Sequence, residues 1–180
     1  MDVWEAIEKR RTIRQFTAKV PEPLLRRLIW AGAKAPSASN TQPWEFIIIN
    51  DQTIIDGIAE QKGKMEGLRG GARRIAIEQG LYHNSSVVAI CIRKGGLSVA
   101  AAWTAAENIA LAATAEGLGC VMSIFGGEYK VAVENLLALP DTHELATVMA
   151  LGVPERIPAK VGVDRTEFSW LHINKFGNPG

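Results

Sequence analysis

Four cations lie within the first fourteen residues of the chain: Lys9, Arg10, Arg11 and Arg14. A guanidinium group presents several N–H donors in a fixed fork, which matches the oxygens of a phosphate group. Basic runs also commonly face solvent at the end of a helix, so the cluster alone does not define a site. It offers fixed positive charge that suits a phosphorylated ligand.

A second segment combines small, amide and aromatic side chains. It reads Pro36-Ser37-Ala38-Ser39-Asn40-Thr41-Gln42-Pro43-Trp44-Glu45-Phe46. The amides can bond to a planar heterocycle or shape the loop by bonding to its backbone. Trp44 can stack on a ligand, but an aromatic residue at the start of a strand more often packs in the core. With the cations, the segment predicts a site for a phosphorylated, planar, hydrogen-bonding ligand, and flavin mononucleotide (FMN) has all three properties.

The periodicity of apolar residues predicts the elements that position these segments. We expect helices over about 2–11, 21–35, 52–60, 98–116 and 128–137, and strands over 12–16, 44–49, 86–92, 120–125 and 144–152. Asp2, Asp51 and Ser98 are the expected helix caps, and Gly117 is an expected helix stop. Because helices and strands intermix without a strict βαβ repeat, the pattern favours an α+β fold with a mixed sheet flanked by helices.

Three segments have a placement that the sequence leaves open. Residues 61–80 are polar, basic and rich in glycine, so we expect loops with at most a short helix, serving as a surface segment or as a lid. The helix over 98–116 is apolar on almost every side, which places it at the centre of the molecule or of a dimer interface. Residues 153–180 contain three prolines and little periodicity, and we expect them to wrap a partner subunit.

Length and composition narrow the class of protein. A chain of 180 residues predicts one domain, 1–180, or one protomer of an intimate dimer, and the net charge of +1 argues against nucleic-acid or membrane-surface binding. Cys91 and Cys120 lie among apolar residues, so we expect buried reduced thiols. His83, His143 and His172 lack the spacing of metal ligands. The charged N-terminus does not read as a signal peptide, so we expect a cytoplasmic protein.

The quoted segments resemble the FMN-dependent nitroreductase family, whose members are NAD(P)H:flavin or nitro oxidoreductases. The family's basic pair, hydroxyl residue and basic residue before Phe stand here at 10–16, and its Asn-x-Gln-Pro-Trp-x-Phe motif stands at 40–46. Weaker matches are Ala105-Ala106-Glu107-Asn108 before Gly117, and residues 150–154 followed by Arg165. The matches follow the family's order over nearly the whole chain.

The resemblance implies a three-layer α/β/α homodimer with an exchanged C-terminal segment and FMN at the subunit interface. The corresponding FMN-binding positions are Arg10, Arg11, Thr12, Arg14, Pro36, Ser37, Ala38, Ser39, Asn40, Gln42, Ile124 and Arg165. By this resemblance the arginines hold the phosphate, Arg14 lies near the pyrimidine edge, and the loop from residue 36 comes from the other subunit. Glu107 and Asn108 are expected to bond across the dimer or to contact the cofactor.

The sequence departs from the family pattern at several positions. Ala38 stands where a serine is frequent, and Ser123 and Ile124 stand where a glycine often borders the flavin. Val163 occupies a position that is often basic, so Lys160 or Arg165 is left to complete the phosphate site.

The activity that the resemblance implies is a ping-pong hydride transfer. NAD(P)H would reduce FMN at N5 and leave, and a nitroaromatic, a quinone or a similar electron-poor acceptor would then be reduced. Because the chemistry is at the flavin, no side chain is assigned as catalytic. The alternatives are a specialised flavin enzyme, such as a dehalogenase or an ene reductase, and a flavin-binding module without turnover.

Overall fold

The structure is a computed structural model that describes residues 1–159 and 170–178, with the backbone alone at 68–75 and at 78. Its elements in chain order are α1 (Val3–Lys9), β1 (Phe16–Lys19), α2 (Glu22–Gly32), β2 (Trp44–Ile49), α3 (Gln52–His83), β3 (Ser86–Arg93), α4 (Ser98–Ala115), β4 (Gly119–Ser123), α5 (Gly127–Leu136) and β5 (His143–Pro154), with a 3-10 turn at Ala38–Asn40. Within this part of the chain no helix has the length and apolarity to cross a membrane.

Strand β5 is the centre of a five-stranded sheet. It pairs antiparallel with β3, with β4 and, near its C-terminal end, with β1, while β2 pairs antiparallel with β3. A parallel bridge between Thr12 and Cys120 joins the chain after α1 to β4, so the sheet is mixed at this point. Helices cover both faces of the sheet, which confirms the predicted α+β fold.

Strand β3 shows why its sequence is an almost continuous apolar run. Successive side chains of a strand point to opposite faces. Val88, Ile90 and Ile92 pack with α2 and α4, whereas Val87, Ala89 and Cys91 pack with α3 and α5. Because both faces are covered by helices, both sets of side chains are apolar.

Helix α4 has one buried side, which consists mainly of alanines. Ala102, Ala105 and Ala106 are fully buried, and Gly32 of α2 lies so close that an added Cβ would be 2.8 Å from the Ile109 side chain. The opposite side faces outward in a single chain, with Val99 50% exposed. In a single chain, α4 is therefore buried on one side only, although its sequence is apolar on almost every side. Its place in a dimer interface stays a prediction.

The prediction of loops over residues 61–80 was wrong, because α3 is helical from Gln52 to His83. The element also reverses direction, so it has a first arm that begins at Gln52 and a second arm that ends at His83. His83 Nε2 lies 2.8 Å from Asp56 Oδ1, whereas a straight helix would separate these residues by about 40 Å. Residues buried near both ends, among them Ile55, Ile58 and Tyr82, join one core cluster, so packing supports helix where glycines lower the intrinsic propensity.

Helix ends test the predicted caps. The Asp2 and Asp51 carboxylates accept backbone N–H bonds at the starts of α1 and α3, as predicted. Gly117 has φ +75° directly after the end of α4, also as predicted. Ser98 is not a cap: it is the first helical residue, and its hydroxyl donates to the Gly95 carbonyl at 2.7 Å.

Strand boundaries also correct one expectation. The strand predicted over 12–16 begins only at Phe16. Residues 12–15 run instead beside the ends of β4 and β5, because Ile13 N donates to Cys120 O at 2.9 Å and Glu155 N donates to Gln15 O at 3.0 Å.

Candidate functional site

The basic segment, residues 10–16, is fixed to the edge of the sheet by its backbone. Besides the hydrogen bonds to Cys120 and Glu155, it depends on a close approach at Gly119, where an added Cβ would lie 2.5 Å from the Ile13 side chain. Glycine is required at this position, since no larger residue fits without displacing the segment. The backbone thus holds the side chains of the basic segment beside β4.

Arg10 and Arg11 have different environments. Arg10 Nε lies 3.3 Å from Glu107 Oε1 of α4, in a pair that remains partly exposed. Arg11 Nη1 donates to the carbonyls of Glu8 and Arg10 at 2.6 and 2.7 Å, and so caps the C-terminal end of α1. Its Nε is buried and has no hydrogen-bond partner among the described residues. Such an unmet donor is costly, and an anionic oxygen would satisfy it.

Thr12 and Arg14 line a pocket of about 290 Å³ together with a cation that the sequence analysis missed. Arg156 enters this pocket from the chain that follows β5, where the hydrogen bond between Glu155 and Gln15 fixes it beside the basic segment. Ile77, from the second arm of α3, also lines it. The signal available in the sequence was an arginine two residues after the Pro154 that ends the last strand. Arg165 and Lys160, predicted for this role, lie outside the described residues.

The site loop, residues 36–42, is held in a strained conformation. Ser39, Asn40 and Gln42 have φ of 50°, 55° and 45°, a region that residues other than glycine adopt at a cost. Ser37 Oγ accepts from Gln42 N at 2.9 Å, and Gln42 Nε2 donates to Asn40 Oδ1 at 3.0 Å. The amides of Asn40 and Gln42 therefore shape the loop, which was one of the two roles expected for them. The Asn40 Nδ2 and Gln42 Oε1 atoms remain for a ligand.

Helix α4 connects the site loop with the basic segment. Thr104 Oγ1 lies 3.3 Å from Pro36 O, although its hydroxyl proton has a nearer acceptor in the Ala101 carbonyl at 2.8 Å. One turn further, Glu107 pairs with Arg10. Asn108 Nδ2 donates to Ala31 O at 3.2 Å. Glu107 and Asn108 thus find partners within their own chain, where the sequence analysis expected bonds across the dimer or to the cofactor.

The remaining predicted positions lie apart from these contacts. Ala38 and Ser39 line a third pocket, of about 350 Å³, beside the turn that contains Arg93 and Lys94. Ile124, the residue after β4, is 58% exposed. At the rise of an extended chain it lies about 13 Å from the Cys120 that bridges to Thr12. The site loop and the basic segment of one chain therefore line different pockets.

Trp44 and both cysteines belong to the core, as predicted. Trp44 is buried in the cluster on the α2 and α4 side, and Cys91 and Cys120 are buried free thiols. Burial raises the pKa of Cys91 from 9.0 to about 12. Burial also raises the pKa of Cys120 from 9.0 to about 11, against the opposing effect of the Arg10 charge. Both remain protonated thiols at neutral pH, so neither is a nucleophile here.

The raised pKa values of the two thiols predict how the free energy of unfolding depends on pH. Above pH 9 the unfolded chain loses the Cys91 proton that the folded chain keeps, so unfolding becomes more favourable as pH rises towards about 12. We expect Cys91 alone to lower the free energy of unfolding by up to about 1.4 kcal/mol per pH unit in this range. Urea unfolding between pH 8 and 10.5 should show a shallower decline for Cys91→Ala than for the unchanged chain. Equal slopes would contradict the assignment.

The sheet order, the two helical layers and the basic segment at the β4 edge define a nitroreductase-like fold. The structure of NADPH:FMN oxidoreductase from Vibrio harveyi, complexed with NAD+, superposes with a TM-score of 0.80 at 23% identity, covering 99% of this chain and 79% of that one. The structure of oxidised iodotyrosine deiodinase bound to FMN and 3-iodo-L-tyrosine superposes with a TM-score of 0.77 at 22% identity, covering 91% of this chain and 95% of that one. At these identities the likeness establishes the fold.

Sequence similarity establishes the family. The Nitroreductase family model matches residues 7–70, which include the basic segment and the site loop. A protein of Methanothermobacter thermautotrophicus, named as a candidate NADH dehydrogenase/NAD(P)H nitroreductase, is 30% identical over 161 residues, covering 88% of this chain and 80% of that protein. The chain belongs to the nitroreductase family, which confirms the resemblance.

Proposed function

We propose that the protein is an FMN-dependent oxidoreductase that takes hydride from NAD(P)H and reduces a small electron-poor acceptor such as a nitroaromatic or a quinone. Membership of the nitroreductase family supports this class of enzyme and this cofactor. The observation that carries the proposal is the unmet Nε donor of Arg11. Arg11 lines a pocket of about 350 Å³ together with Lys9, next to the pocket that Arg14 and Arg156 line. We further propose that residues 1–180 form a single FMN-binding domain.

The residues of the site fit the phosphate end of FMN. Arg10, Arg11 and Thr12 are proposed to hold the phosphate dianion, which forked guanidinium donors and a hydroxyl group suit. Arg10 is held by Glu107 in a partly exposed pair, and such pairs contribute only about 0–1 kcal/mol. A phosphate can therefore take the guanidinium without a large loss. Arg165 keeps its predicted place in this group.

The residues of the site also fit the ring end of FMN. When bound, FMN supplies the centre that accepts hydride and passes it on. Arg14 is proposed to lie near the pyrimidine edge, where a cation stabilises negative charge on the reduced ring. Pro36, Ser37, Ala38, Ser39, Asn40 and Gln42 are proposed to come from the partner subunit, and their strained backbone keeps donors and acceptors in fixed directions.

The exposed apolar surface and the divided site that the resemblance implies both support a homodimer. Trp4 is 76% exposed on α1, and Val99 is half exposed on the outward side of α4, which α1 flanks. Leu171, Ile173 and Phe176, in the C-terminal segment, are exposed too. Burying exposed apolar side chains of this size against a partner subunit is favourable. We propose that the helices meet their copies and that the C-terminal segment is exchanged between subunits.

The first test is the visible spectrum of the purified protein under anaerobic conditions, with NADH and NADPH added separately. We expect a flavin band that bleaches with at least one of the two donors and returns on addition of a quinone or a nitroaromatic. A band that neither donor bleaches would support the flavin-binding module. A protein that shows no band even after FMN is added would contradict the assignment of the site.

Reductive dehalogenation is the second candidate, because the fold of iodotyrosine deiodinase superposes over most of this chain. The same reduced protein should then release iodide from 3-iodotyrosine at a rate comparable with nitroaromatic reduction. Reoxidation by nitroaromatics without iodide release would favour the first candidate.

A further inference from the structure

A buried charged side chain lies outside the residues discussed so far. Lys62, on the first arm of α3, is 8% exposed. Its Nζ donates to Glu66 Oε1 at 2.9 Å and to the carbonyl of Ile124 at 3.3 Å, and it lies 5.7 Å from the centre of the Phe125 ring. The ammonium group therefore links α3 to the turn between β4 and α5.

Burying this ammonium group requires the contacts that surround it. A buried charge is unfavourable unless it is paired and hydrogen-bonded, and Lys62 has a carboxylate, a carbonyl and an aromatic face as partners. An apolar residue would fill the same space without the cost of desolvation. Lys64 offers a contrast on the same helix, because its pair with Glu60 is of the ordinary exposed i,i+4 kind.

The contacts of Lys62 fix the backbone around Ile124. The Ser123 carbonyl accepts from the buried Thr147 hydroxyl at 3.1 Å, and the next carbonyl, that of Ile124, accepts from Lys62. Because each peptide unit is planar, the contact at the Ser123 carbonyl sets the direction of the Ile124 N–H, and the contact of Lys62 at the Ile124 carbonyl sets that of the Phe125 N–H. The two contacts therefore hold both peptide planes that flank the Ile124 Cα. The same two contacts set the direction in which the exposed Ile124 side chain leaves the backbone.

We propose that Lys62, assisted by Thr147, is a positioning residue that sets the Ile124 backbone against the flavin ring. This inference rests on the proposed function and on the family resemblance, which gives Ile124 as a cofactor-binding position. Lys62 does not touch the reacting atoms. It acts through the Ile124 carbonyl, which accepts from its ammonium group.

The test compares Lys62→Met/Glu66→Gln with the unchanged holoenzyme. The paired change removes both charges of the Lys62–Glu66 pair, so neither member is left charged without the other. We expect FMN to remain bound, the flavin absorption band to shift, and anaerobic reduction by the preferred donor in a stopped-flow instrument to slow at least tenfold. Lys62→Arg should recover most of that rate, because it restores the donor to the Ile124 carbonyl.

Two further variants separate positioning from folding. Thr147→Val removes the hydroxyl at constant size and should slow reduction in the same direction, while Lys64→Met, the exposed control, should leave the rate and the spectrum unchanged. Wild-type rate and spectrum in both Lys62→Met/Glu66→Gln and Thr147→Val would overturn the inference and leave the proposed function standing. A wild-type protein that binds no FMN would overturn both.

Discussion

Replacing both Arg10 and Arg11 by alanine should yield a dimeric protein that is purified without FMN. Each charge-assisted hydrogen bond to phosphate contributes about 1.5–3 kcal/mol, so losing two guanidinium groups should weaken FMN binding at least about 100-fold. Arg11 also caps α1 through two carbonyl groups, so a fall of a few degrees in Tm is expected as well. Fluorescence titration of the apoprotein with FMN measures the effect.

Riboflavin provides the sharpest control for this double variant, because it lacks the phosphate and keeps the ring. Its affinity should be nearly unchanged by Arg10→Ala/Arg11→Ala. Arg26→Ala/Arg27→Ala removes the same charge from exposed pairs on α2 and should leave FMN binding intact. Full retention of FMN in the Arg10→Ala/Arg11→Ala protein would contradict the assignment of these arginines to the phosphate. If the affinity for riboflavin fell as much as that for FMN, the arginines would contact the ring instead.

Elements with a clear local pattern were predictable from the sequence. Strand β2 has the predicted bounds, Trp44–Ile49, because an aromatic and β-branched run follows Pro43 and stops at a helix cap. The buried strand β3 is one residue longer than predicted, since Arg93 still pairs with His143 at the exposed end. In both cases the signal lies within a few neighbouring residues.

Tertiary packing decided what the local pattern could not. Glycines at 63, 67, 70 and 71 favour loops on propensity alone, yet α3 continues to His83 because both of its ends pack on the same face of the sheet. Arg156 escaped notice because its neighbour Gln15 is far away in sequence and is joined to it only through the fold. The positive φ angles of the site loop were likewise not predictable, because the residues that adopt them are not glycines.

A single charge on α1 should separate the subunits and empty the site. Trp4 is 76% exposed in one chain, and in the proposed dimer it packs against the partner subunit. Burying a carboxylate there without a partner would cost several kcal/mol, so Trp4→Glu should raise the dimer dissociation constant at least about 100-fold. We expect a monomer at micromolar concentration by light scattering. We also expect little bound FMN, because the site loop and the basic segment would then be apart.

The matched control is Val131→Glu, which places the same charge at a 54% exposed apolar residue on α5, in the layer on the other face of the sheet. That variant should remain dimeric and yellow. A dimeric Trp4→Glu protein with full FMN content would mean that α1 lies outside the interface. A monomeric Trp4→Glu protein that still binds FMN stoichiometrically would mean something different: the site loop would not be supplied by the partner, and one chain would hold the cofactor with its own residues.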